Sequence, residues 1–215
     1  MIKGLILALV SIVFLLWIEQ GLEVSYIWKT MAKVVLFLVI PLILFRKTKL
    51  TFLDIKRTDK KSLQIALFSG LAIMFIIIVA FILLMPTIDI DSLLLDLIER
   101  AGVTAAVFPF VALYILIGNS LLEEFFFRGL LPSFFNIKSI RLTIPSLLFA
   151  VYHVSIFLPW FSLPILVLAV VGLWVGGFIF QLVNERSGTI FPSWIIHMFA
   201  DVGVLLVGVY IFYFY

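Results

Sequence analysis

Seven long apolar runs constrain this chain more than any other feature. They are Ile2–Ile18, Ile27–Phe45, Leu63–Met85, Val103–Leu131, Thr143–Leu158, Pro164–Val183 and Ser193–Phe212. A helix needs about 20 predominantly apolar residues to cross a bilayer, and each run is close to that length or above it. The fourth is too long for one crossing and must tilt or protrude into water. The fifth is short and ends at Pro159-Trp160-Phe161-Ser162-Leu163-Pro164, a tight interfacial turn. Composition agrees: 65% of the 215 residues are hydrophobic and 13% charged, against roughly 45–50% and 25% in soluble domains. With a mean hydropathy of +1.31, the polar surface is too small to cover a globule in water. The expected fold is all-α, a polytopic transmembrane bundle of about seven spans in a single integral membrane domain, 1–215.

Several function classes drop out at once. The chain has no cysteine, which excludes disulfides, Cys-ligated zinc, iron–sulfur clusters and thiol catalysis. The net charge of +3 does not point to nucleic acid, because the cations gather in one loop. Lys3 precedes the first apolar run, and Trp17-Ile18-Glu19-Gln20 follows it where a cleavage site would need small residues. The run therefore reads as a first membrane helix and not as a removed signal peptide.

The distribution of Lys and Arg gives an orientation. The loop after the second run carries Arg46, Lys47, Lys49, Lys56, Arg57, Lys60 and Lys61, and Lys3, Lys138, Arg141 and Arg186 fall on the same side. Lys29, Lys33 and Arg100 fall opposite, with Glu19, Glu23, Asp89, Asp91, Asp96 and Glu99. Eleven basic residues against three place the N-terminus in the cytoplasm and the C-terminus outside, in a cell membrane. Between the third and fourth runs, Ile90, Leu93, Leu94, Leu97 and Ile98 recur at helical spacing, as in a short helix lying in the outer interface. Gly172 and Gly176 form a G-x-x-x-G, read as a helix-contact surface. Gly118-Asn119-Ser120 lacks the following glycine of a rhomboid-type serine, since Leu121 follows.

Few ionisable residues fall inside the runs: Glu123, Glu124 and Arg128 in the fourth, His153 in the fifth, His197 and Asp201 in the seventh. A charge at a helix centre costs about 2.5–3.5 kcal/mol on insertion scales, so six such groups call for a shared, wet pocket. Depth supports this. Glu123 lies nine residues before Pro132, His153 ten after Thr143, and His197 and Asp201 five and nine after Pro192. At 1.5 Å per residue, all sit roughly 8–15 Å from the cytoplasmic ends. Glu124 and Arg128 are i,i+4 and can pair, leaving Glu123, about 100° round the helix, free of that pairing. Phe149 and His153 are i,i+4, as are His197 and Asp201, where a carboxylate can hold an imidazole in one tautomer. Two chemistries follow. In one, Glu123 is a general base that activates water, helped by His153. In the other, His153, His197 and a carboxylate such as Asp201 hold a zinc ion with a bound water.

The motifs resemble one family. Glu123-Glu124-Phe125-Phe126-Phe127-Arg128 fits E-E-x-x-x-R, Phe149 to His153 fits F-x-x-x-H, and His197 to Asp201 fits H-x-x-x-(N/D). In this order, over approximately 103–215, the chain resembles the CPBP intramembrane proteases: type II CAAX prenyl endopeptidases and bacteriocin-processing or self-immunity proteins. The resemblance implies a helical-bundle peptidase with Glu123 as water-activating base, His153 as its partner, Glu124 and Arg128 as a supporting ion pair, and His197 with the residue at 201 stabilising the oxyanion. Asp201 departs from the Asn of the prenyl-protease branch; as a carboxylate it cannot donate a hydrogen bond. The implied partner is a membrane-associated peptide or protein, prenylated or otherwise. Two other classes stay open: an ion-coupled transporter, against which stand the lack of an inverted repeat and the one-sided cluster, and a non-catalytic membrane scaffold or regulator.

Overall fold

The computed structural model describes residues 2–22 and 24–215; Glu23, counted above among the outer acids, lies outside them. Helices dominate, and no strand occurs among the described residues. The spans are α1 (Ile2–Gly21), α2 (Tyr26–Leu44), α3 (Lys60–Thr87), α5 (Phe108–Phe134), α6 (Lys138–Phe157), α7 (Leu163–Ser187) and α8 (Phe191–Tyr213), each long and apolar enough to cross a bilayer. A short helix over residues 90–100, here α4, precedes α5 and packs Ile90 and Leu93 against Ile211 of α8. The chain is a multi-pass membrane protein.

Local chemistry sets the helix boundaries. Asp59 accepts hydrogen bonds from Ser62 N (2.7 Å) and Ser62 Oγ (3.0 Å) at the start of α3, an N-cap. Those bonds hold the exposed Asp59 carboxyl below the usual carboxylate range. Asp89 caps α4 in the same way through Ser92. Prolines occupy the opening turns of α5, α7 and α8, where the missing N–H costs nothing. Gly188, at φ +73°, ends α7 in the left-handed conformation that favours glycine. The fourth span begins at Phe108 and not at Val103: Gly102 turns the chain at φ +71°, and Pro109 starts the helix afresh.

Among the described residues four apolar clusters hold the bundle, and two of them lie among the site-bearing spans. One joins α1, α2, α5 and α6 around Phe37, Phe126, Phe127, Phe149 and Tyr152. Phe37 stacks on Phe126 at 4.5 Å and meets Tyr152 edge-on at 5.4 Å, offset geometries that aromatic quadrupoles favour. The other joins α3, α7 and α8 around Ala66, Phe180, Val183, Ile195 and Ile196. Phe68 and Phe110, 75% and 76% exposed, point outward on spans, where acyl chains replace water. Ion pairs cluster at the ends. Lys29 meets Glu19 at 2.6 Å, and Arg100 donates to the Glu19 carbonyl (2.7 Å) and pairs with Asp96 (2.6 Å), which accepts from Trp160 Nε1 (2.7 Å). At the other end Arg141 forks onto Glu185 with two 2.6 Å contacts, a bidentate pair joining α6 to α7.

The loop after α2 does more than carry charge. The Phe52 carbonyl accepts from Ile190 N (3.0 Å) and Thr189 Oγ1 (2.9 Å), tying the loop to the start of α8. The small-residue contact lies elsewhere than expected. A Cβ on Gly172 or Gly176 would meet nothing within 4 Å, so this pair faces outward. At Gly177 a Cβ would lie 2.8 Å from the Arg128 guanidinium and 3.2 Å from Ser146 Cβ. A close approach to backbone occurs at Gly203 of α8, where a Cβ would lie 3.2 Å from the Met74 carbonyl and 3.3 Å from Ile77 Cβ. Gly203→Leu is therefore expected to push α8 off α3 and cost about 1–3 kcal/mol, the usual range for overpacking. The thermal midpoint of the detergent-solubilised protein reads this out, and a midpoint equal to wild type contradicts it.

Candidate active site

The site lies where α5 changes its winding. Ser120–Glu123 is α-helical and Glu124–Leu130 is π-helical, with Leu131 N donating to the Phe126 carbonyl five residues back (3.0 Å). Wide turns also occur at Val35–Val39, Asp96–Arg100 and Ile115–Asn119, and each locally departs from the i→i+4 winding of an α-helix. Here the change falls between the two adjacent glutamates. Gly129 makes the wide turn compatible with the loop, since a Cβ there would overlap the Phe52 ring.

Glu124 is the sealed member, 0% exposed. Its Oε1 accepts from His197 Nδ1 at 2.9 Å and lies 3.7 Å from Arg128 Nε. Its Oε2 accepts from Ser193 Oγ, and Ser193 Oγ in turn accepts from Asn184 Nδ2 (2.7 Å). Arg128 lies over the Phe149 ring, 3.8 Å from its centroid, and 5.4 Å from that of Phe180, a cation–π arrangement. Its three nitrogens find no hydrogen-bond partner among the described residues. At 3.7 Å the contact with Glu124 is an ion pair without a hydrogen bond.

Glu123, 1% exposed, is placed differently. Its Oε1 accepts from Asn119 Nδ2 (3.0 Å) and Lys33 Nζ (3.4 Å). Its Oε2 has no hydrogen-bond partner among the described residues and faces two imidazoles, His197 Nε2 at 3.7 Å and His153 Nε2 at 4.0 Å. The tautomers follow from the opposite ring atoms. His153 Nδ1 is 2.9 Å from the Phe149 carbonyl, which only accepts, so the Nδ1 proton points there and Nε2 presents its lone pair to Glu123. His197 Nδ1 likewise donates to Glu124.

α5, α6 and α8 thus bring Glu123, Glu124, Arg128, His153, His197 and Asp201 together. Three details differ from the sequence reading. Glu123 does have a cationic neighbour: Lys33, assigned above to the outer charges, points into the bundle. The imidazole of His197 is held by Glu124 and not by Asp201, whose Oδ1 stands 3.7 Å from Nε2, because a carboxylate on the neighbouring helix approaches the ring edge more directly than one a turn along. Asn119 was missed. Its signal was available, since it precedes Glu123 by four residues on the same helix. Among the described residues no group of three or more His, Asp or Glu is arranged to hold a metal ion. The set of His153, His197 and Asp201 is not such a group.

Residues 105–203 match the family model described as Type II CAAX prenyl endopeptidase Rce1-like. That segment, a little under half of the chain, is similar to this family. The Rce1-like segment contains all six motif residues, whereas Lys33 lies outside it. Comparison with curated proteins and with solved structures returns no match.

The sealed pair yields a stability prediction. Arg128→Met leaves the Glu124 carboxylate without its nearest cation in an apolar interior and is expected to cost about 3–5 kcal/mol. Arg128→Met with Glu124→Gln is expected to recover part of that loss. Thermal unfolding of the three proteins in one detergent measures it, and additive losses refute it.

Proposed function

We propose that the protein is an intramembrane endopeptidase in which Glu123 and His153 activate the attacking water. The observation that carries this reading is the asymmetry of Glu123: one oxygen is held by donors, and the other faces two imidazole lone pairs at 3.7 and 4.0 Å. That spacing exceeds a direct hydrogen bond, yet one oxygen about 2.8 Å from each of two such atoms subtends roughly a right angle. A water there donates one proton to Glu123 Oε2 and the other to His153 Nε2.

The chemistry then balances simply. Glu123 Oε2 takes a proton as the water oxygen bonds to the scissile carbonyl carbon, and the carbonyl electrons move onto oxygen. On collapse, the C–N bond breaks and the same proton passes from Glu123 to the leaving amine. A carboxylic acid and an amine result. With Nδ1 bound to Glu124, His197 donates to the oxyanion from Nε2 only when it carries both protons. The charge this adds lies within 3.7 Å of carboxylates on Glu123, Glu124 and Asp201. Asp201 donates only when protonated; its Oδ2 is buried without a partner among the described residues.

Similarity to the family supports a membrane-associated peptide or protein as substrate, with a prenylated carboxyl-terminal segment as the probe to try first. The basic-residue bias supports a cytoplasmic N-terminus and an extracytoplasmic C-terminus. The test is cleavage of an internally quenched, farnesylated peptide by the purified protein, alongside proteomic comparison of membranes carrying wild type and Glu123→Ala. Glu123→Ala and His153→Ala are expected to lower turnover by about 10²–10⁴-fold while the thermal midpoint stays measurable. Chelation is expected to leave turnover unchanged; a loss that added zinc restores favours the metal mechanism. Glu123-dependent ion flux in proteoliposomes without cleavage makes it a transporter, and biological activity that survives both substitutions makes it a scaffold.

A further inference from the structure

We propose that Lys33 is a positioning residue for Glu123: with Asn119 it clamps Oε1, keeps the carboxylate ionised and leaves Oε2 as the reactive oxygen. The proposal rests on Glu123 being the base. Lys33 comes from α2, outside the matched segment of the chain, seven residues after the helix begins. Its Nζ donates to Asn119 Oδ1 at 2.7 Å and to Glu123 Oε1 at 3.4 Å, and Asn119 Nδ2 donates to the same Oε1 at 3.0 Å. The three groups close a ring in which Asn119 accepts from one partner and donates to the other. The amide orientation is thereby set, and the ammonium sits 5.3 Å above the Tyr152 ring.

The charge balance gives the lysine its purpose. The groups around Glu123 are Lys33 on α2, Asn119 and Glu124 on α5, Tyr152 and His153 on α6, and His197 and Asp201 on α8. Arg128 is committed to Glu124, and each imidazole already directs its Nδ1 proton elsewhere. Lys33 is thus the one permanently cationic side chain among the described residues within 4 Å of Glu123. A carboxylate 1% exposed loses most of its hydration, and an ammonium at hydrogen-bond range offsets that loss. The lysine side chain is itself 14% exposed, so its own desolvation is incomplete. Filling Oε1 twice also fixes the rotation of the carboxylate, which positions Oε2 between the imidazoles.

A purely structural lysine would pin α2 to α5 and do nothing else, so the test reads protonation directly. Dicyclohexylcarbodiimide couples to protonated carboxyl groups, and mass spectrometry locates the adduct. In the full chain in detergent at neutral pH, Lys33→Met is expected to raise the Glu123 adduct on the order of tenfold, the change in protonated fraction that accompanies one unit of pKa. Lys33→Gln, which keeps a donor without the charge, guards against misfolding of the methionine variant and is expected to label as it does. Lys33→Arg is expected to stay near wild type. With the quenched farnesylated peptide, Lys33→Met is expected to lower kcat and leave KM unchanged. Equal labelling of wild type and Lys33→Met overturns the role of Lys33, as does Lys33→Arg behaving like Lys33→Met. Labelling needs no substrate, so these failures are distinguishable from that of the peptidase reading, which falls if Glu123→Ala cleaves at the wild-type rate.

Discussion

The arrangement of the bundle centre depends on the sealed carboxylate of Glu124. In a medium without water a carboxylate must find donors and a countercharge, and the partners it finds draw on two helices directly and a third through Ser193. His197 and Ser193 come from α8, Arg128 from the next turn of α5, and Asn184 of α7 is reached through Ser193. Satisfying one buried charge therefore fixes the relative rotation of three helices. Truncating any partner leaves a buried polar group unpaired, which costs more than the lost contact itself.

From that anchor the Glu123 half of the site follows. Once His197 Nδ1 is committed to Glu124, its Nε2 can only face the other way, towards Glu123. The π-helical turn that begins at Glu124 separates the two glutamates into different environments, one sealed among Arg128, Phe149 and Ser193, the other facing imidazoles and an ammonium. Adjacent carboxylates of identical chemistry are thus placed in two different environments by their surroundings alone. The aromatic core of Phe37, Phe126, Phe127 and Tyr152 packs α2, α5 and α6 together beside the site.

Much of this was legible in the residues. The spans were readable because about 20 apolar residues is a length set by the bilayer itself. The convergence of Glu123, His153 and His197 was readable from depth, because a helix rises by a fixed 1.5 Å per residue. Lys33 was misassigned for the same reason: near the start of a span, a lysine counts as an interfacial charge unless its azimuth is known. Gly172 and Gly176 failed similarly, since small residues mark a contact only on the face that meets a neighbour. The π-helical turn had no readable signal, because winding by i+5 is stabilised by what surrounds the helix and not by its own side chains.

The amino-acid sequence by itself therefore determined which segments lie in the membrane, which polar groups are forced into it, and at what depth. Those quantities depend only on composition and axial rise. Tertiary structure alone decided who pairs with whom: Glu124 and not Asp201 holding His197, Lys33 turning inward onto Glu123, and Gly177 instead of Gly172 meeting Arg128. Pairing depends on helix rotation and on the few ångströms between helices, and these are settled only when all the buried charges are satisfied together.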